Sequence, residues 1–519
     1  MGNARKMYAI GEQSFPSLRE AGALYIDKTE FIHKLVSSKS KYYFLARPRR
    51  FGKSLFLSTL KSFFEAKRNL FKGLYIDSTD WDWEEYPVLR IDLNKERYAE
   101  VNRLEDVLDS LFTEWERIYH VDTIYTNLSQ RFATIIEAAY RATGKQVVIL
   151  VDEYDKPLVG NLNNDDTFGH YQAKLASLYS NFKSSADYIR LVFLTGVSRF
   201  SKLSVFSDLN NLRDISFDNT YADICGISEE ELREDFKEGI ERFSEKYGWS
   251  IEETITKLKE NYDGYRFAEN GSDMYNPWSV LNAMEEEKIS NYWNRTGLPT
   301  IILESLKRID TDLEQFLNTE CTENELMGLD LHTPRPVALL YQTGYLTIKN
   351  YDSFLGEYTL GVPNKEVKEG LFDMLLPVYI KMPSQTAGIY VNQFIKDLLR
   401  GEANEFMKRL RGFFAAIPYD MEMGNERNFH NAIYVFMSLL GLKVFAEVRT
   451  SFGRMDLLCK TDRYIYIIEL KYDGTAREAL DQIESKGYSL PFETDGRKII
   501  RIGASYSSKY RLITDWLIG

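Results

Sequence analysis

Gly52, Lys53 and Ser54 stand in a row at the head of an amphipathic stretch, and their types suit one task. Wrapping a phosphate takes main-chain N–H groups, an ammonium that reaches the β and γ oxygens, and a hydroxyl that ligates Mg²⁺ at a helix N-terminus. The strict pattern also wants glycine five positions before Gly52, where this chain has Arg47. Support for the loop comes from the apolar run Val147 to Val151, which ends in Asp152 and Glu153. Adjacent carboxylates at the end of a buried strand let one organise Mg²⁺ and the other polarise water. Asp152 is the candidate on the metal side and Glu153 the candidate general base, with Asp155 a solvated or supporting group. The run Leu191 to Thr195 leads into Gly196, Val197, Ser198 and Arg199. Thr195 or Ser198 is placed to sense a γ-phosphate and Arg199 to stabilise its charge, unless Arg199 merely begins a surface loop. ATP and Mg²⁺ are the cofactors this set predicts.

Asp456, Glu469 and Lys471 form a second constellation. Glu469 and Lys471 are two apart in an apolar strand pattern, so both side chains leave one face, and Asp456 on the preceding strand is within reach of that face. Two carboxylates can hold Mg²⁺ against a scissile phosphate while the ammonium orients and deprotonates water. An edge strand with a solvated Glu–Lys ion pair would look the same. Arg449, Arg454, Arg477 and Lys486 are candidate phosphate contacts or plain solvated surface.

The elements that must position these residues follow from periodicity. Tyr42 to Ala46, Val88 to Leu93, Val147 to Val151 and Leu191 to Thr195 read as strands separated by helical patterns, the signature of a parallel sheet covered on both faces. The first strand runs through the phosphate loop into a helix from Leu55 to Glu65. From Ser228 onward the pattern is helical. Ser228 with Glu231 and Ser250 with Glu253 have capping-box spacing, and Gly248 and Gly264 offer stops. A helix from Ala338 to Tyr341 precedes strands at Gly344 to Lys349 and Glu357 to Val362, a winged-helix-like unit. The last hundred or so residues read as a separate α/β unit: a helix at Glu426 to Leu440, strands at Lys443 to Arg449, Arg454 to Cys459 and Tyr464 to Lys471, a helix at Thr475 to Gly487, and a strand at Lys498 to Ala504.

The length of 519 residues calls for several cores. Hydrophobic residues make up 44% and charged residues 27%, a globular balance. Cys225, Cys321 and Cys459 stand apart, with no paired framework, which suits a reducing cytoplasm. No apolar stretch reaches the roughly 18 residues of a membrane span, and the start lacks a signal-peptide core. Lys6 sits where a myristoylation motif wants Ser or Thr. A net charge of -12 argues against a charge-driven DNA coat, while residues 391 to 519 carry 19 Lys plus Arg against 17 Asp plus Glu, leaving -14 to the rest. Acidity therefore belongs to the front of the chain, and a nucleic-acid enzyme at the back is not excluded.

Tyr25 to Thr29, Arg47-Pro48-Arg49-Arg50-Phe51-Gly52-Lys53-Ser54, Val151 to Asp155, Leu209 to Asp214, Tyr262-Asp263-Gly264-Tyr265 and Tyr275 to Trp278 together resemble the bacterial AAA-ATPase-like family, over about residues 20 to 375. In that family Arg47 is expected in the loop. The resemblance implies a P-loop core related to signal-transducing and archaeal-type ATPases, with a helical lid and winged helix, and Tyr25 to Thr29 near the adenine. Gly453 to Asp456, Ile468 to Lys471 and Gln482-Ile483 resemble the PD-(D/E)xK nuclease superfamily. On that resemblance Glu426 matches an acidic position that some members add to the metal set of Asp456 and Glu469, with Mn²⁺ an alternative to Mg²⁺. His430 is one turn further on, and a core or surface histidine is the simpler reading of it.

The expected organisation is a P-loop core over 1–225, a lid over 226–290, a winged-helix-like region over 291–375, a helical connector over 376–420 and a nuclease-like domain over 421–519. The expected function is an ATPase that controls a metal-dependent nuclease acting on DNA or RNA, with defence or mobile-element handling as the setting the resemblance suggests. The competing expectation is a nucleotide-switched binding module with a silent nuclease fold. Arg47, Arg49 and Arg50 either contact phosphates or nearby acidic surface, or complete a neighbouring subunit's site in a homo-oligomer.

Overall fold

A computed structural model describes residues 6–94, 96–98, 100–122, 125–162, 164–199, 211–293, 317–327, 336–380, 393–415, 434–436, 443–450 and 453–519, with backbone alone at 376–380, 443–450 and 453–456. The chain divides into two units, one of residues 1–293 with 320–365 and one of 294–319 with 366–519.

In the first unit β1 (Tyr42–Ala46), β2 (Val88–Asp92), β3 (Val147–Asp152), β4 (Ile189–Gly196) and β5 (Arg213–Asp214) form an all-parallel sheet in the order β2-β3-β4-β1-β5. All six residues of β3 are buried, as expected where helices cover both faces. The order sets β4 between the strand that feeds the phosphate loop and the strand that ends in carboxylates. Their C-terminal ends share one edge of the sheet, where ligands of such sheets bind.

The helix Lys53–Phe64 starts two residues before its expected position because Gly52, at φ +97°, turns the chain directly into it. Both capping boxes form as read, Ser228 with Glu231 and Ser250 with Glu253, and Gly248 ends the helix Lys237–Tyr247 in the left-handed region. Gly264 has a different reason for its φ of +93°. The helix Ile251–Tyr262 ends at Asp263 in extended backbone, and a Cβ on Gly264 would stand 2.4 Å from the Pro363 carbonyl. Close approach of two main chains fixes that glycine.

β6 (Glu320–Thr322), β7 (Thr347–Asp352) and β8 (Glu357–Gly361) form an antiparallel sheet in the order β6-β8-β7, with the helix Pro336–Thr343 ahead of the hairpin. This is the expected winged-helix-like pattern with β6 added. Arg266 N donates to Thr347 Oγ1 at 2.8 Å and Asn364 Nδ2 to the Asp263 carbonyl at 2.8 Å, so the unit docks on the turn that follows the lid helices.

The second unit carries β9 (Lys443–Thr450), β10 (Gly453–Lys460), β11 (Tyr464–Tyr472), β12 (Lys498–Ser507) and β13 (Leu512–Ile518), ordered β13-β12-β11-β10-β9. Only β11 and β12 run parallel, joined through the helix Ala476–Ser485, whose N-cap Thr475 forms a capping box with Glu478. That helix lies directly on the sheet, since a Cβ on Gly503 of β12 would stand 2.4 Å from Leu480 N. β13 was not expected. Behind the sheet, Tyr466 Oη donates to the Leu398 carbonyl at 2.6 Å. The helix expected at Glu426 to Leu440 is described only at 434–436.

Candidate nucleotide and nuclease sites

The phosphate loop is bound to the lid by its unusual residues. Arg47 is 2% exposed, and its guanidinium donates to the carbonyls of Ala46 at 2.9 Å, Ser216 at 2.8 Å, Tyr221 at 3.2 Å and Ala222 at 3.3 Å, with its Cζ 4.3 Å over the Phe267 ring. Burial pulls its pKa below the usual arginine range. Phe51 packs edge-on against Tyr265 and Phe267, at centroid distances of 4.7 and 5.3 Å. Arg50 lies 4.0 Å over the Trp278 ring and donates to the carbonyls of Tyr292 and Trp293. These contacts correct the reading of Arg47 and Arg50 as phosphate or neighbouring-subunit groups, because both guanidiniums are engaged by main-chain carbonyls of this chain and by the lid rings Phe267 and Trp278. Arg49 alone of the three is exposed.

Lys53 is 3% exposed at the N-terminus of its helix. Its Nζ donates to the carbonyls of Arg47 at 3.0 Å and Pro48 at 3.1 Å and lies 3.3 Å from Glu153 Oε1. Glu153 holds φ at +53°, a left-handed conformation that costs a non-glycine residue about 1 kcal/mol or more and that here turns its carboxylate toward the loop lysine. Ser54 is 9% exposed in the next position.

Asp152, 1% exposed, accepts from Thr195 Oγ1 at 2.9 Å and from Arg90 at 3.2 Å. Thr195 thus orients Asp152 from the neighbouring strand. Arg90 was missed, although an arginine inside the β2 run Val88–Asp92 was the signal available. Asp155 is not solvated. It is 1% exposed, accepts from the amides of Val197 at 3.1 Å and Ser198 at 2.6 Å, and burial together with the Glu153 charge pushes its pKa up to about 6. Tyr154 Oη donates to the Ser198 carbonyl at 2.9 Å. A Cβ on Gly196 would stand 2.6 Å from the Tyr154 ring, so this residue must be glycine for the two turns to close. Arg199 Nε lies 2.5 Å from Asp214 Oδ2, and residues 200–210 that follow it, Leu209 and Asn210 among them, lie outside the described residues.

Tyr25 to Thr29 serve as a fastening. Tyr25 Oη lies 3.3 Å from Thr59 Oγ1 on the phosphate-loop helix, and Lys28 Nζ lies 2.6 Å from Glu231 Oε1 of the capped lid helix Glu229–Asp235.

Glu469 and Lys471 sit in β11, the central strand of the second unit's sheet, and not on an edge. Glu469 is 2% exposed. Lys471 Nζ lies 3.4 Å from Glu469 Oε1, and Gln482 of the covering helix bonds both, donating to Glu469 and accepting from Lys471. Tyr488 Oη accepts from the same amide at 3.3 Å. Leu457 pairs with Ile468, which sets Asp456 at the next register position, beside Glu469. The Asp456 side chain, Glu426 and His430 lie outside the described residues. Among those described, no three His, Cys, Asp or Glu side chains gather at metal-ligand spacing. No described helix is long and apolar enough to cross a membrane.

Carboxylate and hydroxyl oxygens are the donors hard cations take, so the chemistry of both sets suits Mg²⁺. Residues 9–206 match the family model of a predicted AAA-ATPase, and residues 424–516 match that of the PD-(D/E)XK nuclease superfamily. Over 539 aligned positions the chain is 34% identical to an "Uncharacterized protein in vnfD 5'region" of Azotobacter chroococcum mcd 1, covering 99% of each chain.

Proposed function

The chain belongs to the AAA-ATPase-like family, with a PD-(D/E)XK nuclease superfamily domain behind its ATPase, and on that premise we propose an ATP-hydrolysing module that controls a metal-dependent nuclease acting on DNA or RNA. The observation that carries the reading is Lys53, buried at a helix N-terminus behind Gly52 and held against Glu153. Phosphate oxygens entering the loop take over the lysine, which frees Glu153 as general base toward a water at the γ-phosphorus. Thr195 holds Asp152 in one orientation. Both Asp152 oxygens already accept a bond, and each keeps a lone pair, so Asp152 and Ser54 are the residues that would hold Mg²⁺ here. Bound Mg²⁺ would neutralise the charge that develops on the phosphates.

In the second unit Gln482 holds the Glu469 carboxylate and the Lys471 ammonium together, which keeps the ammonium positioned to orient a water. Asp456 and Glu426 are the further ligands of a Mg²⁺ or Mn²⁺ ion in this reading. DNA is the favoured substrate, the setting is defence or mobile-element handling, and the compartment is the cytoplasm, in keeping with three buried free cysteines.

The test is cleavage of single- and double-stranded DNA and RNA with and without ATP, by wild type, Lys53→Ala and Asp456→Ala. ATP-dependent cleavage lost in both variants is expected. Cleavage that survives Asp456→Ala refutes the catalytic assignment, and nucleotide binding without cleavage of any substrate establishes a switched binding module instead.

A further inference from the structure

Three successive main-chain N–H groups follow β4, and side chains from two different places take all three. Val197 and Ser198 donate to Asp155 of the acidic turn behind β3, and Arg199 donates to Gln342 Oε1 at 2.8 Å. Gln342 belongs to the helix Pro336–Thr343 beside the three-stranded sheet and is 7% exposed. Its amide is used at both ends, because Nε2 also donates to the Leu326 carbonyl at 2.9 Å. Only this orientation of the amide satisfies both partners. The reverse would set NH₂ against an N–H and a carbonyl against a carbonyl.

The bridged segment matters because it continues from Thr195, which orients Asp152, and contains Arg199, which lies on Asp214. A pocket lined by Pro48, Val197, Arg199, Phe217, Tyr341 and Gln342 adjoins the segment. A buried amide that joins two main chains transmits displacement or breaks a bond, and an orphaned buried polar group costs about 1–3 kcal/mol.

We propose that Gln342 is a positioning residue for ATP hydrolysis, fixing the Arg199 end of the segment that Asp155 holds at Val197 and Ser198, and making turnover depend on the β6–β8 unit. The inference rests on the reading of this site as an ATP site. Gln342 acts through the main chain: a shift of Arg199 on nucleotide binding reaches Leu326, and with it the short helix Glu323–Met327 that follows β6.

The experiment uses the full chain as wild type, Gln342→Leu, Gln342→Glu and Lys53→Ala. Gln342→Leu removes both bonds, whereas Gln342→Glu keeps an oxygen for the Arg199 N–H and loses the donor toward Leu326. Affinity for a fluorescent ATP analogue, steady-state turnover, and amide hydrogen exchange with ADP or a non-hydrolysable ATP analogue are measured. Affinity within about threefold of wild type is expected in both Gln342 variants, with kcat about tenfold lower in Gln342→Leu, a size that its two orphaned groups, the Arg199 N–H and the Leu326 carbonyl, readily support. Wild type should show exchange over residues 320–327 that differs between the two nucleotides. That difference should vanish in both variants, with the Arg199 amide still protected in Gln342→Glu. Unchanged turnover in Gln342→Leu overturns the proposal, as does a parallel fall of affinity, turnover and protection across the whole unit. Lys53-dependent binding with no nucleotide-dependent difference over 320–327 in wild type refutes this inference alone. Absence of binding, or equal binding by Lys53→Ala, refutes the ATP site itself.

Discussion

Lys53 Nζ lies 3.3 Å from Glu153 Oε1, so the ammonium that would meet the phosphates is matched by the carboxylate that would activate water. Both side chains are buried enough for the attraction to be poorly screened, with exposures of 3% and 16%. Nucleotide binding on this geometry is an exchange, in which phosphate oxygens replace Glu153 at the lysine.

Glu153→Gln follows from that exchange. Removing the competing charge frees Lys53, so ATP should bind about three- to tenfold tighter, while loss of the base lowers turnover by about a hundredfold or more. Fluorescence titration and phosphate release measure the two separately. Weaker binding by the variant would show that Glu153 does not compete for the lysine.

Arg47→Gly restores the residue that phosphate loops ordinarily carry, yet it should destabilise the protein. Four carbonyls accept from the guanidinium, and its removal leaves them facing the interior beside an emptied space against Phe267. A loss of about 3–5 kcal/mol is expected, from several buried carbonyls left without a donor and from the emptied volume. Thermal melting of the ATPase unit in the full chain checks it, and an unchanged midpoint would show that the loop does not lean on Arg47.

Much of this scaffold was legible because the relevant signals are local. The apolar run at β3 and the Ser–Glu spacings at Ser228 and Ser250 each state their structure within a few residues. β5 has two residues and β13 mixes Thr514, Asp515 and Trp516 at a sheet edge, so neither carries a clean period. In the sites, Lys53, Asp152, Glu153, Glu469 and Lys471 were readable as chemical types at meaningful spacings. Arg90, the buried role of Asp155 and the bridge at Gln342 were not, because each depends on a partner far away in sequence.

Asp263 gives a pH signature. Burial, reinforced by the Asp273 charge, pushes its pKa from 3.8 up to about 6, against the lowering effect of the Gly264 amide. Its Oδ2 lies 3.9 Å from Lys259 Nζ. A raised folded-state pKa contributes stability that is complete below about pH 4, is lost as pH rises to about 6, and does not change further above that. Asp263→Asn removes this dependence. The variant's stability should therefore gain on wild type between pH 4 and 6.5, by an amount on the order of 1–3 kcal/mol, and then run level, as denaturant unfolding at each pH would measure. A difference that is flat across the range, or that grows toward acid, would refute the assignment.

Gly503 tests whether the second site depends on how closely its covering helix lies on the sheet. Gly503 pairs with Glu469 in the parallel register, and an added Cβ there would stand 2.4 Å from Leu480 N and 2.5 Å from the Ala476 carbonyl. Both contacts are main-chain atoms, so no side chain can swing away, and the helix itself must lift. Gln482 rides on that helix and is the group that bonds Glu469 and Lys471. Gly503→Ala should cost about 1–3 kcal/mol from overpacking and loosen the grip on both residues. Gln482→Leu should loosen the same grip while the helix keeps its seat, at a cost of about 1–3 kcal/mol for the bond that the buried Glu469 carboxylate loses. Metal-dependent cleavage and the melting temperature of the second unit should fall in both. Full cleavage by Gln482→Leu would mean that Glu469 and Lys471 hold their places without the helix.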